Sequence, residues 1–358
     1  MELPSIADLK ITDKRVLLRA DFDVPLIVKE EQVLVADDTR LRQVLKTVNW
    51  LIKKKSKLII MAHLGRPGGK RVAALSLRPV ARAFSKLLPA KIKWSFSPFV
   101  LGKKAEKKAA GLKPGEILIL ENLRFYPEEE KNTRSFAGSL AGLADVFVNE
   151  AFAVSHREHS SIVGVPQFLP AALGFNFLKE ARILGQTFKN PRRPVVVVLG
   201  GRKKSKAVAG QILLGWADAI LVGGELVELN GIVELATHHK VKANLTKNGE
   251  DITPDSAQEF AQIIKGAGTV IWSGPMGAYE TPCYRKGTAV VARAIVDSRA
   301  FSIIGGGDTE AALTKLGLVD KVDYVCSGGG AMLDFLAQRG TLPGIEAIRG
   351  RKNRNAEI

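Results

Sequence analysis

Short aliphatic runs alternate with amphipathic stretches along the whole chain of 358 residues. The runs have the length and β-branched content of buried strands, and the stretches repeat apolar positions every three or four residues. This alternation predicts an α/β fold of parallel sheets with helices on both faces. The predicted strands span residues 15–19, 57–61, 117–120 and 146–148 in the first half, and 195–199, 219–222, 269–272, 301–304 and 324–326 in the second.

Helices are predicted in the stretches that separate these strands. Ser76 is the expected N-cap of the second of them, because serine accepts a hydrogen bond from a free N–H of the first turn. A polar, helix-like segment at 178–188, closed by the sequence NPRRP at 190–194, divides the pattern into two α/β halves. Two such halves are expected to enclose a cleft, where ligands commonly bind. The other predicted helical stretches are 41–54, 77–88, 256–265, 286–298 and 309–316.

Glycine follows each predicted strand of the second half. Ligands of open parallel sheets bind beyond the carboxyl ends of the strands, where glycine admits close approach and helix N-termini attract phosphate. One such pair is an ordinary tight turn, whereas five indicate a floor for a phosphate ligand. None has the spacing of a P-loop or of a dinucleotide fingerprint. The clusters are Gly200-Gly201, Gly223-Gly224, Gly274, Gly305-Gly306-Gly307 and Gly328-Gly329-Gly330.

Charged side chains, in contrast, follow the predicted strands of the first half. A single arginine there is commonly part of a surface ion pair, but several at one sheet edge indicate a site for a small, multiply charged acid. In the second half, Asp308 follows the triple glycine, and it is either a metal ligand or the N-cap of the next helix. The first-half residues are Asp21, Asp23, His63, Arg66, Arg124, His156, Arg157 and His159, with Arg40 at the start of a helix.

Net charge changes the picture, because +17 with a pI near 9.8 favours anionic partners. The basic runs at 53–55, 103–108 and 349–354 are expected to be solvated surface. No aromatic residue interleaves with them, so we expect no surface on which the bases of single-stranded nucleic acid could stack. The loop at 202–206 holds four cations, whose purpose depends on the rest of the chain. No apolar run is long enough to span a membrane, the N-terminus lacks a signal-peptide pattern, and two cysteines favour a reducing cytoplasm.

These motifs together resemble the phosphoglycerate kinase family along nearly the whole chain. The resemblance implies two Rossmann-like three-layer domains with parallel sheets, joined by a helix and separated by a cleft. It implies a phosphoglycerate-binding domain at 1–176, a connecting helix at 177–190, a nucleotide-binding domain at 191–340 and a tail at 341–358 that returns to the first domain. The matching motifs are VLLRADFDVPL, DDTRLR, MAHLGRP, LENLRFYPEEE, FVNEAFAVSHREH, VVLGGRKKS, IWSGPMGAYE, IIGGGDT, SGGGAMLDFL and LPGIEAI.

The resemblance further implies phosphoryl transfer between 1,3-bisphosphoglycerate and ADP with Mg²⁺, in a cytoplasmic monomer that opens and closes about a hinge. Arg40 and Lys203 would clamp the transferred phosphoryl group. The resemblance therefore implies that the cationic loop at 202–206 faces this group rather than nucleic acid. The residues that the resemblance implies for binding phosphoglycerate are Asp21, Asp23, Arg40, His63, Arg66, Arg124 and Arg157. Nucleotide binding falls to Gly201, Lys203, Gly224, Gly249, Ser273, Pro275, Glu280, Gly307, Asp308 and Thr309, with Asp308 as the metal ligand and Gly306 and Gly329 near the transferred group.

The chain departs from the family pattern at several positions. The family usually has asparagine at Asp23 and at Ser273, a small residue at Arg202 and a second lysine at Ala207. If the helix has begun by residue 203, Lys206 lies on the same face as Lys203, so it is predicted to replace the displaced lysine, while Lys204 reaches solvent. Two alternatives remain: a weakened relative that only binds phosphometabolites, and a protein that binds nucleic acid through its charge. The family residues that are present favour an active enzyme, with no specific nucleic-acid partner and no membrane partner.

Overall fold

The computed structural model describes residues 3–228 and 240–356, and the side chains of all of these except residues 240 and 351–356. It divides into two compact units. Unit 1 comprises the residues up to Ala181 together with those from Leu342 onward, and unit 2 comprises Arg182–Thr341. The division falls inside one helix, Phe175–Lys189.

Unit 1 is built on a six-stranded parallel sheet with the strand order β5-β6-β4-β1-β7-β8. Strands β2 and β3 form a separate antiparallel hairpin. The elements are β1 (Arg15–Arg19), β2 (Leu26–Lys29), β3 (Gln32–Val35), α1 (Thr39–Lys53), β4 (Lys57–Met61), α2 (Arg78–Lys86), β5 (Trp94–Phe96), α3 (Lys103–Ala110), β6 (Ile117–Ile119), α4 (Pro127–Glu130), α5 (Arg134–Ala141), β7 (Val146–Asn149), β8 (Ala171–Leu173) and α6 (Phe175–Lys189), which continues into unit 2.

Unit 2 repeats the architecture with the order β11-β10-β9-β12-β13-β14, again all parallel. The chain winds outward from β9 and then crosses to β12, so the first strand borders the point where the strand order reverses. The elements are β9 (Val195–Leu199), α7 (Lys204–Leu213), β10 (Ala219–Val222), β11 (Lys240–Lys242), α8 (Pro254–Lys265), β12 (Thr269–Ser273), α9 (Lys286–Asp297), β13 (Phe301–Gly305), α10 (Gly307–Lys315), β14 (Tyr324–Cys326) and α11 (Gly329–Ala337), followed by α12 (Pro343–Ala356) of unit 1.

Apolar burial explains why the central strands form. All five residues of β9, with the sequence VVVVL, are buried, as are those of β12, because both strands have neighbours on each side and helices above and below. Unit 1 has a corresponding core that includes Val16, Leu18 and Ile60 from β1 and β4. The predicted α/β class of parallel sheets is therefore confirmed.

The differences from prediction concern helix starts and sheet edges. Ser76 is not the N-cap of α2, because the helix begins two residues later with Leu77 at that position. The Ser76 Oγ instead donates to Glu121 Oε2 at 2.8 Å and accepts from the Arg78 N–H at 3.2 Å. The hairpin β2–β3 and the strands β5, β8 and β11 were not predicted. The last three are three-residue edge strands, whose sequences are too short to give a periodic signal.

Candidate functional site

Three arginines and two histidines cluster at the carboxyl edge of the unit 1 sheet. Arg19 is fully buried at the end of β1, and its Nη2 lies 3.2 Å from His63 Nδ1. Arg124 follows β6, is 3% exposed, and donates through Nη1 to Gly65 O at 2.8 Å. The Nε atom of Arg157 is buried without a hydrogen-bond partner among the described residues. Such an orphaned guanidinium donor is costly unless an anion completes it.

Burial and the neighbouring arginines lower the pKa values of several cationic groups in this cluster. Burial, and then the charges of Arg19 and Arg124, lower the pKa of His63 to about 4. Burial, followed by the neighbouring arginines, likewise lowers the pKa of His159 to about 3. Burial lowers even the pKa of Arg124 to about 10, and the charges of Arg19 and Arg157 contribute. Both histidines are therefore neutral near pH 7, and the arginines carry the charge that attracts an anion.

Carboxylates orient the rim of this cluster. Asp21 is 5% exposed and accepts a 2.8 Å hydrogen bond from Arg40 Nη1, which orders an arginine that begins helix α1. Asp23 Oδ1 accepts from the Gly65 N–H at 2.8 Å, and its Oδ2 lies 3.5 Å from His63 Nε2. Burial is the largest single influence on Asp23 and would raise its pKa, but the hydrogen bond and charge of His63, the Gly65 N–H and the charge of Arg40 together outweigh it and hold the pKa well below the usual range. The negative charge that Asp23 adds, where the family usually has asparagine, is thus paired with Gly65 and His63 of the protein itself.

Contacts, some of them through Gly65, therefore link five of the predicted residues, namely Asp21, Asp23, His63 and Arg124 from strand ends and Arg40 from the start of α1. Arg66 lies exposed on the loop after β4, outside these contacts. Sequence reasoning missed Arg19, whose side chain touches His63 and donates through Nε to Ser161 Oγ at 2.9 Å. The signal was an arginine directly after the apolar run VLL of β1, where a buried charge requires a reason.

Unit 2 contains an open cavity of about 420 Å³ at the carboxyl edge of its sheet. Seven of the residues predicted to bind nucleotide line it, together with five that were not predicted: Glu225, Glu250, Gly277, Ala278 and Tyr279. Arg202 also lines the cavity, and its Nε lies 2.6 Å from Glu225 Oε1 in an exposed ion pair. The seven are Gly201, Lys203, Gly224, Gly249, Pro275, Glu280 and Asp308.

Backbone geometry makes the cavity floor. Gly274 has φ +101°, and a Cβ there would collide with the Gly200 carbonyl and the Lys206 ammonium, so this turn requires glycine. Helices α7, α10 and α11 begin at the same edge, and their N-caps, Lys203, Gly306 and Gly328, make no side-chain cap hydrogen bond. Three N-termini therefore present backbone N–H groups and positive dipole ends there.

Lys206 lies on this floor, but the condition on which its prediction depended, a helix that has begun by residue 203, was wrong. Helix α7 begins at Lys204, and Lys203 is its N-cap with an extended backbone, so Lys203 and Lys206 do not share a helical face. Lys206 nevertheless reaches back over the first turn, where its Nζ donates to Gly200 O at 3.0 Å and to Ser273 O at 3.1 Å. Burial, and then the charge of Lys203, lower its pKa to about 8. Lys204 is exposed, as predicted.

The remaining predicted residues lie beside the cavity lining. Thr309 is buried, and its Oγ1 accepts from the Gly274 N–H at 2.7 Å and donates to Gly305 O at 3.2 Å, which ties two glycine turns together. Ser273 is buried, and its Oγ has no hydrogen-bond partner among the described residues. A Cβ at Gly329 would approach that Oγ to 2.6 Å, so the turn at 328–330 packs directly against Ser273. Gly307 is exposed at the start of α10.

Asp308 is not the N-cap of α10. The helix begins at Gly307 with Gly306 as the cap, so Asp308 lies in the first turn, exposed and facing the cavity. The capping alternative for this carboxylate is therefore wrong. Across the described ranges, no group of three or more His, Cys, Asp or Glu could hold a metal ion by itself. None of the helices in those ranges is long and apolar enough to cross a membrane.

Comparison with known proteins decides the family. Residues 6–248 and 230–339 match the model of the family described as phosphoglycerate kinase. A phosphoglycerate kinase of Moorella thermoacetica is 39% identical, covering 96% of this chain and 98% of that relative. One of Thermomicrobium roseum is 36% identical with the same coverage.

The chain belongs to the phosphoglycerate kinase family.

Solved structures of the family agree with this membership. The structure is similar to phosphoglycerate kinase from Coxiella burnetii, with a TM-score of 0.78 and 30% identity, covering 98% of this chain and all of the other. The enzyme from Pyrococcus horikoshii gives a TM-score of 0.81 and 28% identity, with coverage of 97% and 98%. The predicted two Rossmann-like domains and the predicted phosphotransferase class, a phosphoglycerate kinase of glycolysis, are confirmed.

Proposed function

We propose that unit 1 binds the phosphoglycerate and unit 2 binds ATP or ADP, which corresponds to functional domains at 1–176 and 191–340 with a connecting helix at 177–190 and a tail at 341–358. The observation that carries this division is the convergence of Arg19, Arg124 and Arg157 at one sheet edge, where the Nε atom of Arg157 is buried without a hydrogen-bond partner among the described residues. A compact acid with a carboxylate and a phosphate matches such a cluster. The glycine floor of unit 2 matches a polyphosphate.

The reaction requires no covalent bond to the protein. A carboxylate oxygen of 3-phosphoglycerate attacks the γ-phosphorus of ATP, the bond to the β-phosphate oxygen breaks, and 1,3-bisphosphoglycerate and ADP result. The reverse reaction forms ATP. Charge spreads over the transferred phosphoryl oxygens on the way, so positioned cations and N–H groups supply the catalysis.

Arg40, Lys203 and Lys206 are the cations that we assign to this charge. The Lys206 ammonium donates to two backbone carbonyls, and a phosphate would offer it a stronger acceptor. The free N–H groups of α7, α10 and α11, with Gly306 and Gly329 at their turns, would bind the other phosphate oxygens.

The rest of the cavity suits the nucleoside. Glu280 is exposed in the lining and would accept hydrogen bonds from the ribose hydroxyls, while Pro275 and Gly249 provide apolar and backbone contact. Ser273 and Thr309 act behind the lining, where they position the turns on which the phosphates rest. The phosphoglycerate would also be contacted by four further residues of unit 1, namely Asp21, Asp23, His63 and Arg66.

Mg²⁺ fits the carboxylate of Asp308, although no metal cage is present among the described residues. Magnesium bound with nucleotides commonly uses one or two carboxylates and takes its other ligands from phosphate and water. A single exposed carboxylate beside the phosphate floor meets that need. The ion would neutralise phosphate charge. We further propose a cytoplasmic monomer with no specific nucleic-acid partner and no membrane partner.

The test is a coupled assay in which 1,3-bisphosphoglycerate formed from 3-phosphoglycerate and MgATP is reduced by an NADH-dependent dehydrogenase. We expect turnover that depends on all three of 3-phosphoglycerate, ATP and Mg²⁺. Lys203→Ala is the inactive control, and Lys204→Ala, one residue away and exposed, is the matched active one. Binding of both ligands without turnover would instead identify the weakened relative.

A further inference from the structure

The most basic part of the chain lies outside the residues assigned to either ligand. Residues 70–115 contain twelve Lys and Arg but one acid, Glu106, so about an eighth of the chain carries +11 of the net charge of +17. All twelve cations are exposed. Within the described structure Arg71 alone among them is paired with a carboxylate, at 3.9 Å from Glu121. The remaining charge has no function in the proposed reaction.

The fold places aromatic rings among these cations. Strand β5 is the outer strand of the unit 1 sheet, and α2 and α3 flank it in sequence. The Arg78 guanidinium of α2 lies 4.8 Å from the ring centre of Phe96, and Lys108 of α3 donates to the Phe96 carbonyl at 2.6 Å. Lys104 lies 5.9 Å from the ring of Phe99. No aromatic residue interleaves with the 103–108 run in the sequence, but the fold brings lysines of that run close to Phe96 and Phe99, so the expectation that a stacking platform is missing here needs a test.

Two aromatic rings of this region, one of them on β5, are open to solvent. Trp94 is 37% exposed and Phe99 is 38% exposed. Trp94 and Phe96 are two positions apart in β5, so they project from the same side of the sheet. Exposed rings between cations are the arrangement that binds single-stranded nucleic acid, since bases stack on rings or guanidinium planes while the backbone phosphates meet the charges.

Other polyanions fit this face less well. A duplex keeps its bases stacked on one another and cannot use the rings. An anionic membrane would meet an amphipathic helix with large apolar residues beside its cations. Helix α3, with the sequence KKAEKKAA, has only alanine as its apolar residue type, and two of its alanines, Ala105 and Ala109, are buried against the protein.

We propose that the face formed by α2, β5, α3 and the loop between β5 and α3, here called the β5 face, binds single-stranded nucleic acid without sequence preference. Phosphates are bound by the exposed lysines and arginines, and unpaired bases stack on Trp94 and Phe99. Because Glu106 is the one acid among the many cations of this face, the interaction is expected to be strongly salt-dependent.

The test measures fluorescence anisotropy of a labelled 20-nucleotide single-stranded RNA of mixed sequence, titrated with the full chain at several salt concentrations. Reversing two charges of the face with Arg78→Glu and Lys104→Glu is expected to raise Kd at least about tenfold and to flatten the salt dependence by one or more units of slope. The matched control reverses two exposed charges elsewhere, Lys10→Glu and Lys265→Glu, and is expected to change Kd by less than about twofold. Each variant is checked by its melting temperature and its kinase turnover, which should equal those of the wild type.

A second variant separates stacking from charge. Trp94→Ala is expected to weaken binding about fivefold with the salt slope unchanged, because it removes a ring and no charge. Equal losses in both charge-reversed pairs, or no effect of Trp94→Ala, would overturn the proposal in favour of unspecific attraction. Tighter binding of a 20-base-pair duplex, or of phosphatidylserine vesicles, would overturn it in favour of another partner. A lower kcat/KM for 3-phosphoglycerate with undiminished RNA binding would show that the charge steers substrate instead.

Discussion

Units 1 and 2 share an architecture but meet their proposed ligands in different ways. Each is a six-stranded parallel sheet whose candidate site lies at the carboxyl ends of the strands. In unit 1 those ends carry buried arginines and histidines, whereas in unit 2 they carry glycines and three helix N-termini without side-chain caps. The sheet therefore determines where a ligand binds, and the residues after each strand determine the chemistry that binds it.

The difference matches the shapes of the two ligands. A three-carbon acid is small, so long side chains must converge on it from several strands, as Arg124 and Arg157 can. A nucleotide carries a chain of phosphates, and backbone N–H groups can follow it only if no Cβ intervenes. Gly274 illustrates this requirement, because a Cβ there would collide with both Gly200 and Lys206.

The largest effect is expected within unit 1. Arg40→Ala should lower kcat at least about a hundredfold, since a cation that meets developing charge is needed most in the transition state. Arg66→Ala is the matched comparison: it removes an exposed arginine and should mainly raise KM for 3-phosphoglycerate. Steady-state kinetics separate the two parameters. If both variants changed KM alone, Arg40 would be a binding residue like Arg66.

In unit 2, Asp308→Asn should reduce turnover about thirtyfold at low Mg²⁺, a barrier increase of about 2 kcal/mol. Extra Mg²⁺ should restore part of the activity, because the metal is held less tightly but its phosphate ligands remain. The melting temperature should stay constant, since Gly306 and not Asp308 occupies the N-cap. Full activity at low Mg²⁺ would remove Asp308 from the metal site.

Lys206→Ala should lower kcat about tenfold, a barrier increase of about 1.4 kcal/mol, while Lys204→Ala should remain near wild type. The pH profile gives an independent readout. Because the Lys206 pKa is lowered to about 8, the ammonium is charged below that pH and loses its proton as pH rises through it. The wild-type kcat/KM for nucleotide should therefore fall above pH 8, and the fall should be absent in Lys206→Ala. Equal, small effects of both substitutions would leave Lys203 and Arg40 as the working cations.

The basic face in unit 1 gives the smallest effect on catalysis, because it should have none. Arg78→Glu with Lys104→Glu should leave kcat and KM within about twofold of wild type, since both residues are exposed and lie among charges screened by salt. The kinase assay at two salt concentrations checks this. A large loss of kcat would place the face within the catalytic apparatus.

Sequence predicted the interior of the fold better than its edges and exposed the site only in part. Strands β1, β4 and β9 were predicted with their observed bounds, because continuous burial leaves an unbroken aliphatic run. Strand β11, KVK, was missed because an edge strand needs apolar residues on fewer sides. Arg19 and the exposed pair Arg202–Glu225 depend on tertiary contacts, which no local spacing encodes. Lys206 lines the cavity although helix α7 begins one residue later than its prediction required, because a lysine side chain is long enough to absorb the offset, and its catalytic role stays a prediction.

The contrast between the two units is tested most directly by titrating each ligand separately in a calorimeter against one variant of each unit. Arg157→Ala should lose 3-phosphoglycerate binding at least about tenfold and keep the wild-type Kd for MgADP. Gly274→Ala should do the reverse, while Gly215→Ala, where a Cβ meets nothing within 4 Å, serves as its control and should bind both ligands normally. Loss of MgADP binding in Arg157→Ala, or of 3-phosphoglycerate binding in Gly274→Ala with folding intact, would contradict the assignment of one ligand to each unit.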